Sequence, residues 1–161
     1  MIAISEGVGE FKTNPYTLRY SYEDNTFTKV PITDQSSEGI MYMGSDGTTL
    51  YGLGRQKVFE LEEEGWVEKY SIRIGNDFRD MVIVEDYAII ASGWNSDGPG
   101  AGNGFEILNL NSNESKFYTT QNTPLPSDTV FAVAAQKVGL SKYRIWFGTN
   151  DGLAYCTVDL P

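Results

Sequence analysis

Apolar residues along the chain fall in short runs rather than at helical spacing, and clusters of Gly, Asn, Asp and Ser separate the runs. The runs are rich in β-branched and aromatic residues, which predicts many short antiparallel strands. The glutamates between Phe59 and Trp66 suit a helix, but Val58, Glu60 and Glu62 alternate with Phe59 and Leu61 as far as Gly65. That alternation is the pattern of a strand entering a turn. One theme recurs four times: residues 2–5, 50–54, 88–93 and 145–149 each form an apolar strand that ends in small residues. A second strand follows each of them, at 16–20, 58–61, 105–108 and 153–158. A more polar strand follows the first three again, at 26–30, 66–70 and 115–118, and an apolar strand precedes the last three, at 40–43, 81–84 and 130–134.

The recurrence every roughly 40 to 55 residues is the period of a four-stranded propeller blade. The expected fold is therefore all-β, with β-propeller blades of four antiparallel strands, about four of them, in a single domain spanning 1–161. The approximate blades are 1–36, 37–76, 77–122 and 123–161. Inner strands covered on both faces read as continuous apolar runs, whereas outer strands are more polar, as in Asn113-Glu114-Ser115-Lys116. Tight turns need Asx chemistry or a left-handed backbone, and Ser45-Asp46-Gly47, Ser96-Asp97-Gly98 and Asn150-Asp151-Gly152 supply both. By this count the first blade lacks its inner strand and the last lacks its outer one, which would leave two open sheet edges in a closed ring. Two arrangements avoid them: a segment of a larger propeller, which is favoured, or identical chains that pair into a bigger ring.

The last blade carries a motif. Leu125-Pro126-Ser127-Asp128-Thr129-Val130-Phe131-Ala132-Val133, followed by Ile145-Trp146-Phe147-Gly148-Thr149-Asn150-Asp151-Gly152-Leu153, resembles the two-component-regulator propeller repeat. The second blade keeps an echo of it in Asp46-Gly47-Thr48-Thr49-Leu50-Tyr51-Gly52. The resemblance implies a periplasmic sensor domain of a bacterial signalling protein that responds to glycan-related cues. It defines no ligand residue. Trp146, and Tyr51 in its own blade, are expected to wedge between blades rather than to bind.

Net charge narrows the partners. With 12 basic and 22 acidic residues and no His, the chain carries −10, so a nucleic-acid backbone or an anionic membrane surface would be repelled. No apolar stretch approaches the ~18 residues that span a bilayer, and residues 1–6 lack the basic and apolar regions of a signal peptide. An extracytoplasmic or virion-surface location rests on the resemblance alone. The single Cys156 sits in an apolar run and is expected to be a small core thiol with no internal disulfide.

The absence of His removes the usual triads and most zinc geometries, and there is neither a phosphate-binding Gly-Lys-Ser/Thr loop nor a Cys pair. A glycosidase would need two carboxylates roughly 5 to 9.5 Å apart, for which Asp77, Asp80, Glu85 and Asp86 are the candidates. No catalytic residue, metal or cofactor is assigned. The most informative insertion is the Gly-rich loop 93–104, where Trp94 could stack on a sugar or anchor a protein while Asn95, Asp97 and Asn103 form hydrogen bonds. The same loop also reads as a plain linker or, less well, as a calcium loop, since its oxygens do not follow a known calcium spacing. Phe11 lies in an equivalent insertion at 6–15, which would emerge on the same face. The expected function is a non-catalytic binding module for a protein or glycan partner. The alternatives are a structural part of a large assembly, such as a virion or tail component, and a glycan-active hydrolase.

Overall fold

A computed structural model of the chain describes residues 16–32, 39–54, 56–71, 78–93 and 102–160. Among these residues there is no helix, and thirteen strands account for the regular structure. They are β1 (Tyr16–Ser21), β2 (Thr26–Pro31), β3 (Tyr42–Ser45), β4 (Leu50–Leu53), β5 (Lys57–Leu61), β6 (Trp66–Ser71), β7 (Phe78–Val84), β8 (Tyr87–Ser92), β9 (Phe105–Asn109), β10 (Ser115–Tyr118), β11 (Val130–Lys137), β12 (Lys142–Thr149) and β13 (Gly152–Asp159). The strands form four sheets in strict chain order: β1-β2, β3-β4-β5-β6, β7-β8-β9-β10 and β11-β12-β13. Neighbouring strands are antiparallel hairpins, as the blade pattern requires. The predicted strand at 2–5 lies outside the described residues.

The chain divides into two compact units. The first holds β1, β2, the start of β3 and β4–β6, and the second holds β7 to β13 together with Gly44–Asp46 at the end of β3. In the first unit Val30, Ile32, Ile40, Phe59 and Trp66 form the core. Trp66 is wholly enclosed, and its indole N–H donates to Thr17 Oγ1 at 2.8 Å, so the ring is buried with its one polar atom satisfied. Glu62, Glu63 and Glu64 are exposed at the turn between β5 and β6. Glu60 lies within β5, and both it and Glu62 face Lys69, at 3.8 and 2.6 Å.

In the second unit one face of β7–β10 packs on one face of β11–β13. Val84, Ile89, Ala91 and Phe105 meet Val130, Val133, Tyr143, Ile145 and Phe147. Phe105 stacks on Phe147 with centroids 4.1 Å apart, and on Tyr118 at 4.8 Å. Burying each of these large apolar side chains contributes about 1.5–3 kcal/mol. A polar bond joins the sheets as well: Asp80 Oδ2 accepts from Val133 N at 3.0 Å.

The first strands of these two sheets share an irregularity. β7 carries a bulge between Phe78 and Asp80, and β11 carries one between Val130 and Ala132. The extra residues, Arg79 and Phe131, occupy the same place in the two sheets. Cys156 is half-buried against this core, and burial pushes its thiol pKa upward. Trp146 lies on the opposite face of β12, half-buried, with its ring 4.9 Å from that of Tyr155.

Candidate binding site

The strand ends of the second unit offer two places for recognition. One is the root of the loop between β8 and β9. Trp94, Asn95 and Asp97, with Phe11 of the other insertion, lie outside the described residues. Asn103 is described and half-buried, next to Gly104. The loop's two stems are fixed: Ser92 N donates to Gly104 O at 3.0 Å, and Gly104 N donates to Asp128 O at 2.6 Å. Gly104 has φ +72 and sits so close to Tyr118 O that no side chain fits there. Arg79, the extra residue of the β7 bulge, lies across Gly93 at the other stem. A bulge at this point re-aims a long side chain toward the loop root.

The other place is at the opposite end of β8. An open cavity of about 420 Å³ is lined by Ser45, Asp46, Val82, Glu85, Ala135, Lys137 and Tyr143, with Ile83 and Val84 beside them. Glu85 is the first residue of the two-residue turn that joins β7 to β8, and its φ of +49 places a non-glycine residue in the left-handed region. That conformation costs roughly 1–2 kcal/mol for an L-residue, so its surroundings must hold it. Two groups do. The Tyr143 hydroxyl donates a short hydrogen bond to Glu85 Oε1, and Lys137 Nζ donates to the same oxygen at 3.3 Å. Backbone strain of this kind clusters at functional sites.

The electrostatics follow from the geometry. The Tyr143 hydrogen bond, and then the Lys137 ammonium, hold the Glu85 carboxyl below the usual glutamate value. Tyr143, and then Glu85, hold Lys137 above the usual lysine value. At neutral pH the cavity therefore presents an ionised carboxylate, an ammonium and a phenol on one wall, with Asp46 also among the lining residues. That set recognises polar groups by charge-assisted hydrogen bonds.

Of the four candidate carboxylates, Asp77 lies outside the described residues and Asp86 is exposed at the turn beside Glu85. Asp80 is a structural fastener, its two oxygens accepting from Met81 N and Val133 N. Among the described residues no three His, Cys, Asp or Glu side chains gather as a metal site. Sequence reasoning singled out Glu85 but missed Tyr143 and Lys137. The available signal was Tyr143 itself: it shares the core face with Ile145 and Phe147, and a buried tyrosine needs a partner for its hydroxyl.

No protein-family model matches the chain, and no curated protein does. Solved structures do. The extracellular domain of the putative one component system BT4673 from B. thetaiotaomicron superposes with a TM-score of 0.60 at 18% identity, over 89% of this chain and 18% of that one. PorZ, described as an essential bacterial surface component of the type-IX secretion system of Porphyromonas gingivalis, superposes with a TM-score of 0.60 at 14% identity, over 91% of this chain and 22% of its own. The chain spans about a fifth of the length of these two structures. At such identities the likeness concerns the fold, which is all-β and propeller-like.

Proposed function

We propose that this chain is a non-catalytic, propeller-type binding module that works outside the cytoplasm and takes a small polar ligand, such as a sugar unit, in the cavity at Glu85. The observation that carries the reading is the left-handed Glu85 held by Tyr143 and Lys137 on the wall of that cavity. Hydroxyl-rich ligands suit a carboxylate acceptor beside ammonium and phenol groups, and about 420 Å³ accommodates one or two sugar rings. The two structures that the chain resembles, an extracellular domain and a bacterial surface component, support the location. The resemblance of the last blade to the two-component-regulator repeat supports a sensing role for the ligand.

The test is amide chemical-shift mapping with neutral, acidic and amino sugars at millimolar concentration. Shifts confined to residues 82–86 and 135–143, abolished by Glu85→Gln, are expected. Ligand binding elsewhere, or unchanged binding by the Gln variant, would remove the cavity from the proposal.

A second reading places a protein or glycan partner on the loop carrying Trp94, Asn95, Asp97 and Asn103. Its support is the pinning of both stems at Gly104 and Gly93. Trp94→Ala should then weaken partner binding by about 1–3 kcal/mol and leave the melting temperature unchanged.

A further inference from the structure

If a small polar ligand fills the cavity at Glu85, as proposed above, the atoms of its wall also restrict the charge that ligand carries. Lys137 and Tyr143 face each other on one rung of the β11–β12 ladder. Both donate to the same atom, Glu85 Oε1, and Glu85 Oε2 takes no hydrogen bond from any described residue. Lys137 is engaged a second time, because its ammonium lies 5.3 Å from the centre of the Tyr143 ring. An ionised carboxylate accepts at both oxygens. Glu85 thus keeps a whole oxygen for an incoming donor, while the one cation among the described lining residues is already held by a carboxylate and a ring.

A second carboxylate reaches the cavity from β3. A methyl group at Gly44 would meet Ile83 Cγ1 at 3.0 Å, so the missing side chain lets the end of β3 lie close against β7. The chain then bends at Gly47, φ +100, and Ser45 and Asp46 stand on the cavity lining. Two carboxylates therefore oppose one ammonium there, in a chain of net charge −10. The hydrogen bonds from Tyr143 and Lys137 hold the Glu85 carboxyl below the usual glutamate value, so it is ionised at neutral pH. Val82, Ile83, Val84 and Ala135 make the rest of the lining apolar. Charge of one sign on low-dielectric walls concentrates the field inside a cleft.

Three ligand classes fare differently in that field. An anionic sugar would meet two carboxylates, and the ammonium that could offset them is committed to Glu85. A neutral hydroxyl can donate to Oε2, but only as an uncharged donor. A protonated amine donates a charge-assisted hydrogen bond, roughly twice as strong as a neutral one, and offsets the excess negative charge.

We infer that the ligand of this cavity is an amine: a protonated primary amino group on a compact hydroxylated body, as in an amino sugar, which donates to Glu85 Oε2. Asp46 adds to the attraction through its charge, and the body of the ligand rests on the apolar lining.

The experiment titrates the whole chain with glucose, glucosamine, N-acetylglucosamine and glucuronic acid, followed by amide chemical shifts at about pH 6, where a primary amine is protonated. Glucosamine should shift residues 82–86 and 135–143 with an affinity at least about tenfold above those of glucose and N-acetylglucosamine, and glucuronic acid should shift none of them. Glu85→Gln should weaken glucosamine at least about tenfold and Asp46→Asn about threefold. Raising sodium chloride from about 20 to 300 mM should weaken glucosamine by about threefold and leave glucose unchanged. Amide positions away from the cavity certify the fold of each variant. Should Glu85→Gln disturb them, Asp46→Asn on its separate segment and the salt dependence decide. Glucose or N-acetylglucosamine that binds in the cavity as tightly as glucosamine would overturn the amine and leave the cavity standing as a sugar site. Glucosamine binding that Glu85→Gln and salt both leave unchanged would also overturn the amine. Should none of the four sugars shift residues 82–86 and 135–143, the cavity reading falls and the amine with it.

Discussion

The carboxylate of Asp80 accepts the backbone N–H of Val133 at 3.0 Å, across 53 residues of sequence, and so fastens the sheet β7–β10 to the sheet β11–β13. Its other oxygen takes the N–H of Met81 at 2.9 Å. Asp80 stands next to the bulge residue Arg79, and the bulge gives its side chain this reach.

Asp80→Ala should therefore destabilise the second unit by about 1–3 kcal/mol, because it leaves two part-buried donors without acceptors. Asp80→Asn should recover part of that loss, since one oxygen remains, while its NH₂ group opposes an N–H donor. Urea unfolding reads the energy. Amide exchange at Val133 should accelerate in both variants.

A parallel expectation holds for the first unit at Thr17 and Trp66. Thr17→Val keeps the shape but removes the acceptor of the indole N–H, and both residues are almost completely enclosed. The cost should be about 1–3 kcal/mol. Thr17→Ser, which keeps the oxygen, should cost less than half as much by the same unfolding measurement.

How much of this was legible in the sequence depends on what the pattern can carry. The alternation and apolar runs placed every described strand, because burial on one or both faces is what that pattern encodes. Strand ends were read less well. β11 runs on to Lys137 and β12 starts at Lys142, since Gln136 and Lys137 pair with Arg144 and Tyr143 through backbone bonds that no apolar pattern marks. β3 lies two residues downstream of the expected 40–43, with Ile40 still in the core but outside the strand. The cavity was half visible: Glu85 stood among the candidate carboxylates, but its left-handed backbone and its convergence with Tyr143 arise only when two hairpins pack. Asp80 illustrates the converse. Its residue type suggested chemistry, and only the fold reveals a fastener.

Glycine positions separate two kinds of backbone demand. Gly152 has φ +131, and a methyl group added there would meet nothing within 4 Å, whereas a methyl at Gly104, φ +72, would overlap Tyr118 O. Gly152→Ala should cost about 1–2 kcal/mol from conformation alone. Gly104→Ala adds a collision with main chain and should cost about 3–5 kcal/mol. Comparing the two melting temperatures checks the difference.

The Glu85 carboxyl has a depressed pKa, so its contribution is present above the unfolded glutamate value near about 4.3 and is lost as pH falls through the lower folded value. Lys137 has a raised pKa, so its share is present below the unfolded value near about 10.4 and fades as pH rises through the higher folded one. The melting-temperature difference between wild type and Glu85→Gln should therefore be flat from about pH 6 to 8 and vanish under acid. A difference that persists unchanged at about pH 2 would show that the carboxylate charge is not its source.

Every hydrogen-bonded strand neighbour in the four sheets is also a neighbour in sequence. Each sheet can therefore be completed as soon as its last strand has left the ribosome, without waiting for any later one. Contacts this local keep loop-closure entropy low and allow rapid folding for an all-β chain. A nascent chain would carry a finished β3–β6 sheet before β7 is translated, with few unpaired edges exposed along the way.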